Sequence, residues 1–141
     1  MRCMKNDYVK SLVDSNILIY LADTSEEHRN GLAKAWLADS FGKTIYISSQ
    51  NLREFTFKCL VKSVDPKIII EFLDLFTARF TVLQDDFFDT KTAVELCKGN
   101  KKLFWDASIV SVMQRNKIDY IFTENTKDFV ALGVKAINPL K

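Results

Sequence analysis

Histidine is almost missing from this chain. Its one copy, His28, sits in the polar run Glu26-Glu27-His28-Arg29-Asn30, where a surface position is expected. Ser-His-Asp and Cys-His catalysis both need an imidazole held against a nucleophile, and histidine-bound zinc hydrolysis needs several. Carboxylates with an oxygen-bound metal are the main enzyme chemistry left. Cysteine is also sparse: Cys3, Cys59 and Cys97 are odd in number and include no C-x-x-C pair, which argues against a disulfide framework or a zinc site. Cys59 and Cys97 fall on apolar helix faces and read as small core residues; Cys3 is expected in a flexible terminus. No apolar run approaches the roughly 20 residues that span a bilayer. The opening Met1-Arg2-Cys3-Met4-Lys5-Asn6-Asp7 has no apolar stretch resembling a signal peptide, so the cytoplasm is the expected location and no membrane partner is implied. The net charge of +2 is too small for a protein that wraps nucleic acid in basic surface. It still suits a small nuclease whose acidic pocket offsets a basic rim.

What is present fits one globular domain over residues 1–141, with 48% hydrophobic and 27% charged residues. Short apolar runs alternate with longer helical patterns. Strands are expected at Tyr8–Val13, Thr44–Ile47, Phe80–Leu83, Asp119–Phe122 and Val134–Ile137. Helices are expected after Asp14-Ser15-Asn16, over Glu26–Phe41 with Leu32, Ala35 and Trp36 in helical register, and from a Ser48 or Ser49 cap to Lys62 with Leu52, Phe55 and Cys59 inward. Asp65-Pro66 caps and opens another helix. Asp86–Lys98 is helical and breaks at Gly99-Asn100. Phe104–Gln114 follows with Ala107, Val110 and Met113 inward, and Asp128–Leu132 stops at Gly133. This alternation predicts an α/β fold, a three-layer α/β/α sandwich around a mostly parallel five-stranded sheet.

Three acids stand out in this frame. Asp14 closes a buried strand and precedes an apolar helix; its plain role is a helix cap, but Asp14-Ser15-Asn16 is three capping residues in a row. Glu54 lies off the apolar stripe of its helix, where a solvated glutamate is the plain reading. Asp106, in Phe104-Trp105-Asp106-Ala107-Ser108, suits a helical first turn. A polar segment, Thr123 to Phe129, follows the fourth strand, so its groups lie on the same sheet edge as Asp14. A parallel sheet gathers such residues at the C-terminal ends of its strands. Together these acids suit a site for Mg2+ or Mn2+, hard cations that take oxygen ligands, and metal-assisted attack of water on a phosphodiester.

These residues resemble the PIN domain family of ribonucleases, particularly its VapC-type toxins. The resemblance rests on Val13-Asp14-Ser15-Asn16-Ile17-Leu18-Ile19-Tyr20, on Ser48 to Phe55, on Phe104 to Val110 and on Thr123 to Phe129. It implies Asp14, Glu54 and Asp106 as metal-binding and catalytic carboxylates, with Ser15, Asn16 and Thr123 positioning water, phosphate or carboxylates. It further implies a magnesium- or manganese-dependent endoribonuclease acting on RNA, a homodimer, and a small antitoxin partner in a toxin–antitoxin pair. The family often carries Asp two residues after the closing threonine, and here that residue is Asn125. Glu124 and Asp128 are candidates to supply the charge; Asn125 and Asp128 are candidates for a fourth metal ligand. Lys98, Lys101 and Lys102 approach Asp106 in sequence and are candidates for phosphate contact, beside the plainer reading of a solvated loop. Arg53 has the same two readings. Phe104 and Trp105 are expected to pack rather than stack on a base. Trp36 and Phe57 are candidates for dimer or antitoxin contact. A catalytically degenerate scaffold or a housekeeping RNA-processing nuclease are the alternative functions.

Overall fold

The computed structural model describes residues 10–141. Cys3 and the expected strand start at Tyr8 and Val9 lie outside the described residues. Strand β1 (Ser11–Val13) is followed by helices α1 (Ser15–Ala22) and α2 (Glu27–Asp39), then β2 (Ile45–Ser48), α3 (Ser49–Val61), α4 (Pro66–Arg79) and β3 (Thr81–Leu83). Helix α5 (Phe87–Cys97), a 3₁₀ turn (Lys101–Leu103) and α6 (Phe104–Arg115) precede β4 (Tyr120–Phe122), α7 (Thr126–Ala131) and β5 (Lys135–Ile137). All five strands are parallel, in the order β3-β2-β1-β4-β5. The sheet is therefore wholly parallel.

The core explains the layers. Strand side chains alternate between the two faces. Val13, Ile45, Ile47 and Phe122 join the cluster built with α1 to α4, while Leu12, Tyr46 and Ile121 join the cluster built with α5, α6 and α7. β1 is buried on both faces, as a central parallel strand must be. Helix starts follow their caps. Ser48 caps α3 with a reciprocal bond from Asn51, Asp65 caps α4 ahead of Pro66, and Asp86 caps α5 in a box with Asp89. The break after α5 is a left-handed pair, Lys98 at φ 48° and Gly99 at φ 79°, which turns the chain into the 3₁₀ turn that launches α6.

Three expected facings are corrected. In α2 the buried pair is Ala33 and Trp36, while Ala35 is exposed. Trp36 is 7% exposed and packs on Phe80 and Phe122, so it is core rather than a contact surface. Phe57 is exposed. Trp105 does not pack inward: 64% of it is exposed, while Phe104 is half-buried against the α5–α7 cluster. Among the described residues, no helix is long and apolar enough to cross a membrane.

Candidate metal centre

The strand order reverses direction at β1, where α1 leads away to β2 on one side and β4 lies on the other. That is the topological switch point, where α/β sheets open a crevice beyond their strand ends. Asp14 stands there. Its N–H donates to the Phe122 carbonyl at 2.9 Å, tying it to the end of β4. As N-cap of α1 it accepts from Ser15 N–H at 2.8 Å. Fully buried Thr123, one residue past β4, donates its hydroxyl to Asp14 Oδ2 at 2.8 Å. Fully buried Asn51 approaches Asp14 Oδ1 with its amide at 3.4 Å. The same Asn51 uses its side-chain oxygen to accept from Ser48 N–H at 3.1 Å and Ser48 Oγ at 2.7 Å. One side chain thus caps α3 and braces Asp14.

Glu54 lies on the next turn of α3. Its Oε1 accepts from Ser15 Oγ at 3.2 Å and its Oε2 from Gln50 Nε2 at 3.4 Å. Gln50 Nε2 also donates to the Trp105 carbonyl at 3.0 Å, joining α3 to the first turn of α6. Asp106 sits in that turn and accepts from Asn125 Nδ2 at 2.7 Å. Asn125 N–H and Asn16 Nδ2 both donate to Thr123 Oγ1, at 2.9 and 3.3 Å. Asn16 Oδ1 accepts from Glu124 N–H at 3.3 Å. Asp14, Glu54 and Asp106, from segments far apart in the chain, are linked by neutral donors into one polar floor.

The electrostatics are those of acids short of positive charge. Burial pushes the Asp14 carboxyl up to about 6; the Thr123 hydrogen bond opposes this and the Glu54 charge adds to it. Burial likewise pushes Asp106 up to about 7, with Asp14, Asp128 and Glu54 repelling it further and the Asn125 amide opposing. Lys58, a turn beyond Glu54 on α3, is a cation whose charge opposes the rise at Asp14. Among the described residues, no three Asp, Glu, His or Cys side chains are drawn into a closed ligand set. Carboxylates that share one site repel, and a divalent cation offsets that repulsion. The donor set is all oxygen, so it fits a hard cation and not a thiolate-seeking one.

The candidates for the missing charge separate clearly. Glu124 turns away: its carboxylate accepts from Tyr20 Oη at 2.9 Å and pairs with Arg29 at 3.0 Å. Asp128 stays within the field of Asp106. Asn125 meets Asp106 as a neutral donor. Ser15, Asn16 and Thr123 spend their polar groups on the carboxylates and on one another. Lys98, Lys101 and Lys102 are exposed around the turn before α6, and Arg53 pairs with Asp85 at 3.0 Å. The sequence reading assigned no role to Gln50, Asn51 or Lys58. Asn51 had a signal, since it is three residues past the Ser48 cap; Lys58 had only its helical spacing from Glu54.

A family model described as the PIN domain matches residues 11–135. Among solved structures, the chain superposes on the Mycobacterium tuberculosis toxin VapC20, described as cleaving the sarcin–ricin loop, with a TM-score of 0.72 and 19% identity, covering 92% of this chain and 99% of that one. VapBC2 from Rickettsia felis, bound to a promoter DNA fragment, matches with a TM-score of 0.65 and 19% identity over 92% of this chain and 98% of that one. VapBC-1 from nontypeable Haemophilus influenzae matches at 0.66 and 18% over 94% and 100%. No curated protein matches in sequence. At these identities the likeness to the solved structures is one of fold.

Proposed function

The chain belongs to the PIN domain family, and on that premise we propose that it is a divalent-metal-dependent endoribonuclease, the toxin of a toxin–antitoxin pair, working as a single domain in the cytoplasm. The observation that carries this reading is the shared field of Asp14, Glu54 and Asp106 at the switch point, with neutral donors beneath the acids. Asp14, Glu54 and Asp106 would hold magnesium or manganese, with Asp128 at the margin. Such an ion, when bound, lowers the pKa of its water and offsets charge on a phosphodiester.

The chain's own residues do the rest. Thr123, Ser15 and Asn51 orient the Asp14 and Glu54 oxygens, which leaves little freedom to lose on binding. Asn125 fixes the Asp106 carboxylate through one oxygen. Glu54 is the candidate base toward an attacking water, since Gln50 and Ser15 hold it at the edge of an open cleft. No protein nucleophile is required. Lys58, Lys101 and Lys102 are the proposed phosphate contacts.

The partners are proposed on the same footing. An apolar groove of about 460 Å3 between α3 and α4, lined by Leu52, Leu60 and Leu73, suits the apolar face of an antitoxin segment. The exposed ring pair Phe87–Phe88 on α5 suits a homodimer contact. The deciding experiment is cleavage of RNA with Mg2+ or Mn2+ by the wild type and by Asp14→Ala. Metal-dependent cleavage lost in the variant supports the reading, and cleavage that persists unchanged defeats the site. An absence of both cleavage and metal binding points instead to a scaffold. Growth arrest on expression, relieved by co-expressing a small protein if one is encoded in an adjacent reading frame, tests the toxin assignment.

A further inference from the structure

A cleft of about 700 Å3 opens beside Glu54, between α3, the connection from β3 to α5, and the first turns of α5 and α6. One wall is Trp105. Leaving an indole 64% exposed forgoes a large burial gain, and together with exposed Phe57 in the same cleft it makes a joint aromatic surface of the kind that marks a binding site. The ring is braced rather than loose. It stands edge-on to Phe104, with centroids 5.1 Å apart and planes at 73°, and Phe104 is anchored in the core. The Trp105 carbonyl is held by Gln50 Nε2, which also reaches Glu54. One amide therefore fixes how far the aromatic wall stands from a carboxylate of the acid centre.

The rest of the cleft suits a flat ring with a polar edge. Phe57 on α3 is also exposed, and Gln50, Thr90 and Ser108 add polar groups. Four carboxylates line it: Asp85 pairs with Arg53, Asp89 pairs with Arg115, Asp86 caps α5, and Glu54 belongs to the acid centre. Two of the four are paired with arginine, which lowers the negative field that an RNA strand meets there. Arg53, at the rim, is a cation within reach of a flanking phosphate.

We propose that this cleft is a nucleobase subsite, in which an unpaired RNA base stacks on Trp105 next to the phosphodiester at the acid centre. The inference rests on the nuclease reading and narrows it to single-stranded substrate. A base inside a duplex has both faces covered, whereas an unpaired base offers a free face to an aromatic ring. Stacking tolerates any base, so the subsite selects for strandedness before sequence.

Trp36 is buried and Trp105 is not, so a change in tryptophan emission on adding ligand reports Trp105. The test titrates the full chain carrying Asp14→Asn, which blocks turnover, with a short oligoadenylate RNA and with the same strand annealed to its complement. The single strand is expected to quench emission and the duplex to leave it. With the anisotropy of a fluorophore-labelled strand as the readout, since these variants lack the reporting indole, adding Trp105→Ala is expected to weaken binding by roughly ten- to a hundredfold, and Trp105→Phe to restore most of it. In the otherwise wild-type chain, Trp105→Ala should raise KM with little change in kcat and leave Mn2+ affinity intact. Binding and KM indifferent to Trp105→Ala, in a wild type that does cleave RNA, overturns the subsite while sparing the nuclease reading. Equal binding of the duplex also overturns it. So does a blue shift of emission with protein concentration alone, which means that a second copy covers the ring. A wild type that neither binds nor cleaves RNA removes both.

Discussion

Asp14 is buried, while the proposed metal role needs it as a charge, and those demands conflict. Its carboxyl is raised from 3.8 to about 6, chiefly by burial. A carboxyl raised on folding contributes its stability below the unfolded value and loses it as pH climbs through the folded one. The metal-free protein should therefore lose stability across roughly pH 4 to 7 on account of this group and of Asp106, raised to about 7 by burial and its acidic neighbours. Asp14→Asn removes the conflict. In chelator it is expected to be more stable than wild type by about 3 kcal/mol at pH 8 and little different at pH 4, as followed by urea unfolding. A gain independent of pH would mean that burial is not the cause. The same logic makes Mg2+ or Mn2+ raise the melting temperature more at pH 8 than at pH 5. Asn125→Asp adds a charge beside Asp106. It should tighten Mn2+ binding roughly tenfold, since ligand charge sets such affinities, and lower metal-free stability, both readable by calorimetry.

At the level of elements, α3 carries the most of the site. Its cap, its brace on Asp14 and its carboxylate come from Ser48, Asn51 and Glu54 within two turns. Ser48→Ala removes the cap hydroxyl and one of the two bonds to Asn51 Oδ1, keeps the Asn51 amide facing Asp14, and should cost about 1 kcal/mol. Asn51→Ala removes the cap and the brace. It should cost a similar amount of stability and weaken metal binding by roughly 10- to 100-fold. Unfolding and Mn2+ titration of the pair separate the two roles. If both variants bind Mn2+ equally well, Asn51 does not support Asp14.

Across the molecule, the wholly parallel sheet sets the geometry. β1 and β4 end side by side, so Asp14 and Thr123 meet although they are 109 residues apart. The helices that cover the sheet leave apolar side chains outside, among them Leu60, Val61, Phe87 and Phe88. Phe88→Glu is expected to shift a dimer toward monomer at micromolar concentration in light scattering while leaving metal binding unchanged. A wild type already monomeric there would reserve that patch for another partner.

The order of strands and helices, their caps and the three acids follow from local chemistry. Apolar spacing, Asp65-Pro66, Gly99 and the strand-to-helix junction at Asp14 act within a turn or two of themselves, so they are legible along the chain. The family resemblance followed from the same short segments. What lies across the fold is decided by which way each helix faces once packed. The sequence reading put Ala35 in register with Leu32 and Trp36; packing turned Ala33 inward instead and buried Trp36. Trp105 was expected inside and is held outside, because Phe104 takes the inner position on the same turn. Glu124 and Asp128 were the candidates for the missing charge, and Asn125 and Asp128 for the fourth ligand. Only contact with Tyr20 and Arg29, brought by α1 and α2, draws Glu124 away and leaves a neutral amide on the Asp106 carboxylate.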